Sequence, residues 1–279
     1  MVDLDDARPP AEPRPSATIL LVRDGERALE VCVMQRSHHA SFLGGAIVFP
    51  GGQVDPSDAP SGWPAAIAPR PLGPWSDEPS LSARIAACRE SLEEVGLAPV
   101  RGARSQHDFD VLREALRAGV ASFQQALVAR GCSLDLEALV PFSRWVTPTA
   151  QARRFDARFF LARAPRHAEP AIDPSEAARA FFASPAQLLS EFDEGTISLV
   201  PPTHRMLQIL ANVGSVRDAM AGASKACLEI VQPRFIVDDG VPTLALPGDR
   251  LHEVREKRVP GGTRYVLRDG RWVCDLTSA

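Results

Sequence analysis

The sequence predicts an α/β fold with helices on both sides of a sheet. Three observations lead there. Two apolar, β-branched runs, Ala17–Arg23 and Leu29–Gln35, flank Asp24-Gly25, a hairpin signal. A helical stretch with an acidic face, R-I-A-A-C-R-E-S-L-E-E-V-G-L, follows from Arg84. Farther on, strand-like Ser143–Thr147 and Arg154–Ala162 precede Pro185–Phe192 and Pro201–Ala211, each opening like a helix with proline in its first turn.

Taken in order, residues 1–15 are polar and proline-rich and are expected to form a disordered tail. After the first hairpin, Ala46–Phe49 reads as a buried strand, broken by Pro50-Gly51-Gly52. The stretch Asp58–Ser80 holds six prolines with Trp63 and Trp75, a composition for a surface loop rather than a regular helix. Its tryptophans either pin the loop down or cover a ligand. Phe109–Arg130 has no proline and carries apolar residues at helical spacing, with Gly131 as the stop. Near the end, Phe235–Leu246 and Arg264–Val273, broken at Asp238-Asp239-Gly240 and Asp269-Gly270, read as hairpins. They form either an added small sheet or a dimer edge, so a homodimer is among the expected assemblies. The expected division is a main domain over 16–213, with inserts at about 58–80 and 104–140, and an extension over 214–279 packed on it.

The chemistry concentrates in one helix. Glu90, Glu93 and Glu94 stand at i, i+3 and i+4, which places them on one helical face. Like charges so placed repel, by roughly 0.2–0.5 kcal/mol per pair in isolated helices. A hard divalent cation reverses that sign, because Mg²⁺ prefers oxygen ligands. The cluster therefore reads as a metal platform. The plainer alternative is a solvated acidic face paired locally with Arg89. A strand, a Gly-Gly turn and an acidic helix in succession could aim loop carbonyls and carboxylates at a common cation, which favours the platform.

At this point the chain resembles the Nudix hydrolases, whose box is G-x5-E-x7-R-E-U-x-E-E-x-G-U with U a bulky apolar residue. Gly52 matches the first position, and Arg89, Glu90, Glu93, Glu94, Gly96 and Leu97 match the second half. Asp58 stands where the first glutamate is expected, and Ser91 replaces the first apolar U. Arg89 lies 37 positions after Gly52 where the pattern has 14, so 23 additional residues split the box. Just upstream, Arg36-Ser37-x3-Ser41-x3-Gly45-x3-Phe49-Pro50-Gly51-Gly52 is similar to the pattern of coenzyme A diphosphatases within that family, with Ser41 in place of an arginine. The split box, with Arg153-Arg154-Phe155-Asp156, Val200-Pro201-Pro202 and Leu246-Pro247-Gly248-Asp249, resembles the branch of the peroxisomal nucleoside diphosphate-linked moiety X motif 19 and its bacterial relatives.

The resemblance implies an α/β/α sandwich around a mixed sheet, and Mg²⁺- or Mn²⁺-dependent hydrolysis of a nucleoside diphosphate linked to another moiety. Coenzyme A or acyl-coenzyme A is the first substrate implied; ADP-ribose, NADH and dinucleotide polyphosphates are the alternatives. A nucleotide-binding regulatory domain without turnover is the alternative of another class, and such domains usually lose the box acids. By the same resemblance Glu90 and Glu94 bind the metal, Glu93 is a further ligand or the base, and Arg89 orients the carboxylates. A carbonyl of Gly51 or Gly52 completes the coordination. Glu176, an acid in a later loop, is a second candidate base. Arg36, Arg153 and Arg154 are candidates to clamp phosphates, with Phe49, Gly51 and Gly52 lining the substrate site. For Arg154 a surface ion pair with Asp156 is the competing expectation. His38 and His39 are expected to border the opening, His204 to have at most a minor substrate contact, and Asp249 to be a turn residue.

Composition narrows the setting. A net charge of −4 without a long basic run leaves no footprint for nucleic acid. No apolar segment approaches the ~20 residues that span a bilayer, so no membrane partner is expected. Asp3, Asp5 and Asp6 precede the short run Ile19–Val22, unlike a secretory signal. Five scattered cysteines lack metal-ligand spacing and suit a reducing compartment. The chain ends Leu276-Thr277-Ser278-Ala279, without a peroxisomal address. A cytoplasmic location is the expectation.

Overall fold

The strand β1 (Arg14–Asp24) carries a continuous apolar run at its centre, Ile19 to Val22, the mark of a strand covered on both faces. Its side chains alternate between two cores: Ala17, Ile19 and Leu21 enter one, Leu20 and Val22 the other. The following β2 (Leu29–Arg36) does the same, with Cys32 and Met34 in the first core and Leu29, Val31 and Val33 in the second. The computed structural model describes residues 4–5, 8–37, 44–63, 66–68, 73–166, 169–172 and 177–275.

Beyond this hairpin come β3 (Ile47–Val48), β4 (Gly51–Gln53), β5 (Ile67–Ala68), α1 (Glu78–Val95), β6 (Val100–Arg101), α2 (Gln106–Arg117), α3 (Val120–Ala129) and β7 (Ser133–Asp135). The sheet resumes with β8 (Val140–Val146), β9 (Phe155–Arg163) and β10 (Ala177–Ala183), followed by α4 (Pro185–Asp193), α5 (Pro201–Ala211) and α6 (Val216–Ala223). The chain finishes with β11 (Ile230–Val231), β12 (Arg234–Asp238), β13 (Val241–Ala245), β14 (Arg264–Arg268) and β15 (Arg271–Asp275).

The main sheet runs β10-β2-β1-β9-β8-β11, with β3 beside β2 and β4 beside β1. It is mixed: β1 pairs parallel to β9 and β11 parallel to β8, and the remaining pairs are antiparallel. Helices α1–α3 contribute to the first core, and α4–α6 to the second. This is the α/β/α sandwich around a mixed sheet that the sequence led us to expect. Among the described residues no helix is long and apolar enough to cross a membrane.

The last hairpins form a separate antiparallel sheet, β12-β13-β14-β15, and Leu244, Tyr265 and Trp272 from it join the second core beside Phe159 and Met206. Both of its Asp-Gly turns have positive φ at each central residue, 48° and 79° at Asp239-Gly240 and 49° and 75° at Asp269-Gly270, the geometry that Asp-Gly favours.

Three local expectations change. The helix read over 109–130 is two helices, because Gly119 takes φ 118° between α2 and α3; the apolar spacing on either side hid the break. The first hairpin turns through Gly25–Ala28 rather than at Asp24-Gly25, since Asp24 pairs directly with Leu29. Within the first fifteen residues, Leu4 bridges Gln151, the Asp5 N–H donates to the Ala150 carbonyl at 2.8 Å, and β1 has begun by Arg14.

In the 58–80 insert both tryptophans face the protein. Trp63 is 1% exposed, meets Phe123 edge-on and donates its indole N–H to the Ser57 carbonyl at 2.8 Å. Trp75 stands edge-on to Phe160. They pin the insert to the first core. Its last residues already belong to α1, which starts at Glu78 with Pro79 in the first turn, where a missing N–H leaves no bond unmade.

Candidate active site

Helix α1 is fixed by what surrounds its acids. Ala83, Ala86, Ala87 and Leu92 are buried in the first core, and Gly96 ends the helix in the left-handed region at φ 70°. From α2, Arg113 donates to the Glu93 carbonyl at 2.7 and 3.1 Å and to the Glu94 carbonyl at 3.3 Å, which satisfies carbonyls that the helix end leaves open. The acidic cluster therefore stands on a helix held at its C-terminal turn by the second insert.

Beside α1 runs β4, with Gly51 opposite Thr18 and Gly52 opposite Ala17. The two glycines are needed for different reasons. A Cβ on Gly51 would fall 2.3 Å from the Ala17 carbonyl oxygen and 2.7 Å from the Thr18 Cα, so this glycine lets two strands close. A Cβ on Gly52 would fall 2.4–2.6 Å from the carboxyl atoms of Glu90, so this one lets the helix approach the strand. The Gly51 N–H donates to Glu94 Oε2 at 2.8 Å.

Arg89 organises the rest. Its Nε and Nη2 donate to Asp58 Oδ1 and Oδ2, both at 2.9 Å, a forked pair with a carboxylate that is 0% exposed. Its Nη1 donates to Glu90 Oε1 at 2.8 Å and stands 3.6 Å from Glu93 Oε2, while Nη2 also reaches the Gln53 carbonyl at 3.2 Å. Burial opposes the charge on Arg89, but the hydrogen bonds and charges of Asp58 and Glu90 outweigh it and hold the guanidinium above its ordinary value. Burial pushes Glu90 above the ordinary carboxylate value, against the pull of Arg89. Asp58, which the sequence showed only as a shortened acid, also accepts the Asp55 N–H at 2.8 Å. It ties the start of the insert to Arg89 across the split in the motif.

A cavity of about 590 Å³ opens beside these groups. Glu90, Glu94, Gly51, Gly52, Phe49, Arg36 and Arg153 all line it, as the sequence suggested. Trp145, Phe155 and Trp272 line it too, and nothing in the sequence marked the tryptophans for that role.

Other expectations meet a different geometry. Arg154 is buried away from the cavity lining: its Nε donates to the Thr147 carbonyl at 3.1 Å and its Nη1 to the Ala11 carbonyl at 2.6 Å. It is therefore no phosphate clamp, nor does it pair with Asp156, which takes a forked bond from Arg144 at 2.8 and 2.7 Å. His204 is enclosed between Phe192 and Tyr265, with Nδ1 3.1 Å from the tyrosine hydroxyl; burial and the charge of Arg205 lower it to about 4. It does not line the cavity. Asp249 is a turn residue and more, a buried carboxylate that takes Arg264 Nη2 at 2.9 Å and Nε at 3.1 Å. Glu176, His38, His39 and Ser41 lie outside the described residues.

The donor set suits a hard cation in part. Glu90 and Glu94 present carboxylates to one cavity from adjacent turns, the oxygen chemistry that Mg²⁺ and Mn²⁺ select. Glu93, with its side chain 41% exposed, leans toward Arg89 and is not part of the cavity lining. Among the described residues no three His, Cys, Asp or Glu side chains converge on a point. Of the three acids expected to form the platform, Glu90 and Glu94 line the cavity and Glu93 stands beside them, 3.6 Å from Arg89 Nη1.

Comparison with known proteins supplies the family. The family model described as the NUDT19 Nudix domain matches residues 76–210. The acyl-coenzyme A diphosphatase NUDT19 of Homo sapiens is 28% identical over 298 residues, covering 89% of this chain and 76% of the human protein. Its counterpart in Gallus gallus is 29% identical over 301 residues, covering 86% and 78%. The crystal structure of a NUDIX hydrolase from Alicyclobacillus acidocaldarius superposes with a TM-score of 0.66 at 30% identity, over 76% of this chain and 96% of that one. The chain belongs to the Nudix hydrolase family.

Proposed function

We propose that the protein hydrolyses the pyrophosphate bond of coenzyme A or acyl-coenzyme A, releasing adenosine 3′,5′-bisphosphate and phosphopantetheine or its acyl form. The observation that carries this reading is a single cavity that joins the carboxylates of Glu90 and Glu94 to two arginines and a long neutral wall. Its polar end suits a diphosphate, and its neutral walls suit an uncharged arm. The names of the human and chicken relatives point the same way.

Glu90 and Glu94 would hold Mg²⁺ or Mn²⁺, with the Gly52 carbonyl as a further oxygen donor. When bound, such an ion neutralises charge on phosphoryl oxygens and activates water. Arg89 keeps the Glu90 carboxylate on the cavity side through its 2.8 Å bond, and Asp58 fixes Arg89 in turn. Glu93 is proposed as the base: it stands outside the pair that would hold the ion, and with its side chain 41% exposed it would have to turn from Arg89 toward the cavity to reach the water. Arg36 and Arg153 would grip the phosphates, a task for which the guanidinium fork is suited.

The test is to incubate the purified protein with coenzyme A, octanoyl-coenzyme A, ADP-ribose, NADH and diadenosine polyphosphates, with Mg²⁺ or Mn²⁺. The proposal expects adenosine 3′,5′-bisphosphate from the coenzyme A substrates at the highest kcat/KM, and its loss in Glu94→Gln with the fold intact. Preference for ADP-ribose would overturn the substrate assignment.

A further inference from the structure

The cavity wall is completed by a part of the chain that lies outside the main sheet. Leu244 on β13 and Trp272 on β15 line the same cavity as Glu90 and Glu94. Strand register places them there. Leu244 pairs with Tyr265, and Leu267 with Trp272, so Leu244, Tyr265 and Trp272 share one face of the C-terminal sheet. That face packs into the second core, with Leu244 and Trp272 bordering the cavity. Trp145 and Phe155, from β8 and β9, add to the same lining. Among the described residues the ionisable side chains of the lining are Glu90, Glu94, Arg36 and Arg153, and none comes from the C-terminal sheet. A second nucleotide or phosphate seated against Trp272 would find no charged side chain of that sheet among the described residues of the lining, whereas a chain of methylenes needs none.

We propose that the C-terminal sheet is the element that sets substrate specificity: Trp272 and Leu244, with Trp145 and Phe155, form a groove for the acyl end of an acyl thioester whose diphosphate lies at Glu90 and Glu94. The inference rests on the coenzyme A reading of the site and assigns the part of the substrate that reading leaves open. Burial of each methylene in such a groove tightens binding by about fourfold, so a chain of a few carbons gives a wide signal.

The full-length protein is titrated calorimetrically in metal-free buffer, where no metal-dependent hydrolysis competes, with coenzyme A and its butyryl, octanoyl and myristoyl thioesters. Release of adenosine 3′,5′-bisphosphate is measured separately with metal added. The expected result is affinity that rises at least tenfold from coenzyme A to the octanoyl thioester. In Trp272→Ala most of that rise disappears, so the octanoyl and myristoyl thioesters lose more affinity than coenzyme A does. Leu244→Phe, which narrows the groove, moves the optimum to shorter chains; with Trp272→Phe it decides the matter if the alanine variant does not fold. Equal weakening of all four ligands in Trp272→Ala would mean that the indole stacks on the base, and would overturn the proposal. So would affinity independent of chain length in the wild type. Chain-dependent binding without release of the bisphosphate would refute the proposed function and support the groove, and hydrolysis of coenzyme A without chain dependence would do the opposite.

Discussion

Replacing Gly52 by alanine separates catalysis from stability in a way the geometry fixes in advance. The added Cβ would sit 2.4 Å from Glu90 Cδ and 2.5 and 2.6 Å from its two oxygens. Non-bonded heavy atoms are comfortable at roughly 3.5–4 Å, so the carboxylate must retreat by about 1 Å. The atoms struck are the end of a flexible side chain, and Gly52 is not among the residues with positive φ, so the backbone accepts alanine. Alanine also lowers the entropy of the unfolded chain, which favours the native state by about 0.4–1 kcal/mol and offsets the displacement. Stability should therefore change by less than about 1 kcal/mol. Activity should fall by about 10²-fold, the usual cost of a 1 Å misplacement at a reacting centre. Gly51→Ala is the control: its Cβ meets Ala17 and Thr18 backbone, so it should lose more than about 1 kcal/mol of stability. Urea denaturation and kcat/KM on one batch of each variant provide both numbers. A Gly52→Ala enzyme within threefold of wild type, or one that loses activity only in step with its fold, would refute the argument that Glu90 must touch β4.

Two further outcomes follow from buried charge. Asp58→Ala leaves the buried Arg89 without its forked partner; removing one side of such a pair costs about 3–5 kcal/mol, and Asp58→Asn should recover part of this, as read by denaturant midpoint. His204 is neutral in the native protein, lowered to about 4 from an ordinary 6.5, so the unfolded chain binds the extra proton between those values. Its stabilising effect is complete above pH 6.5 and is lost as pH falls toward 4, by about 3 kcal/mol. His204→Phe should flatten that part of the stability profile relative to wild type, and parallel profiles would contradict the assignment.

Much of the site was legible because it is local. Glu90, Glu93 and Glu94 share a helical face by spacing alone and Gly96 ends that helix, and neither depends on distant residues; Gly51-Gly52 marks a close approach, though not its partners. The terminal hairpins were legible for the same reason, since Asp-Gly enforces its own turn. Gly119 shows where local reading fails: helical periodicity continues across it, and only the packing of α2 against α3 required a break there.

What the tertiary structure decided is where the long side chains end. Arg154 was a candidate for a phosphate clamp or a surface ion pair until the carbonyls of Ala11 and Thr147 enclosed it, and Asp58 stood only as a shortened acid until Arg89 met it across the insert. Whether the C-terminal hairpins faced the catalytic cavity was likewise undetermined by their own pattern, because alternation tells which residues share a face and not what that face will cover. The sequence by itself determined the helix and the shared face of its acids, through spacing of a few residues, and marked Gly51-Gly52 as a place of close approach without saying to what. Only folding decided which acids face the cavity, which arginines remain at it, and that Trp272 joins them, because those outcomes depend on contacts between segments that the chain brings together only when its two cores close.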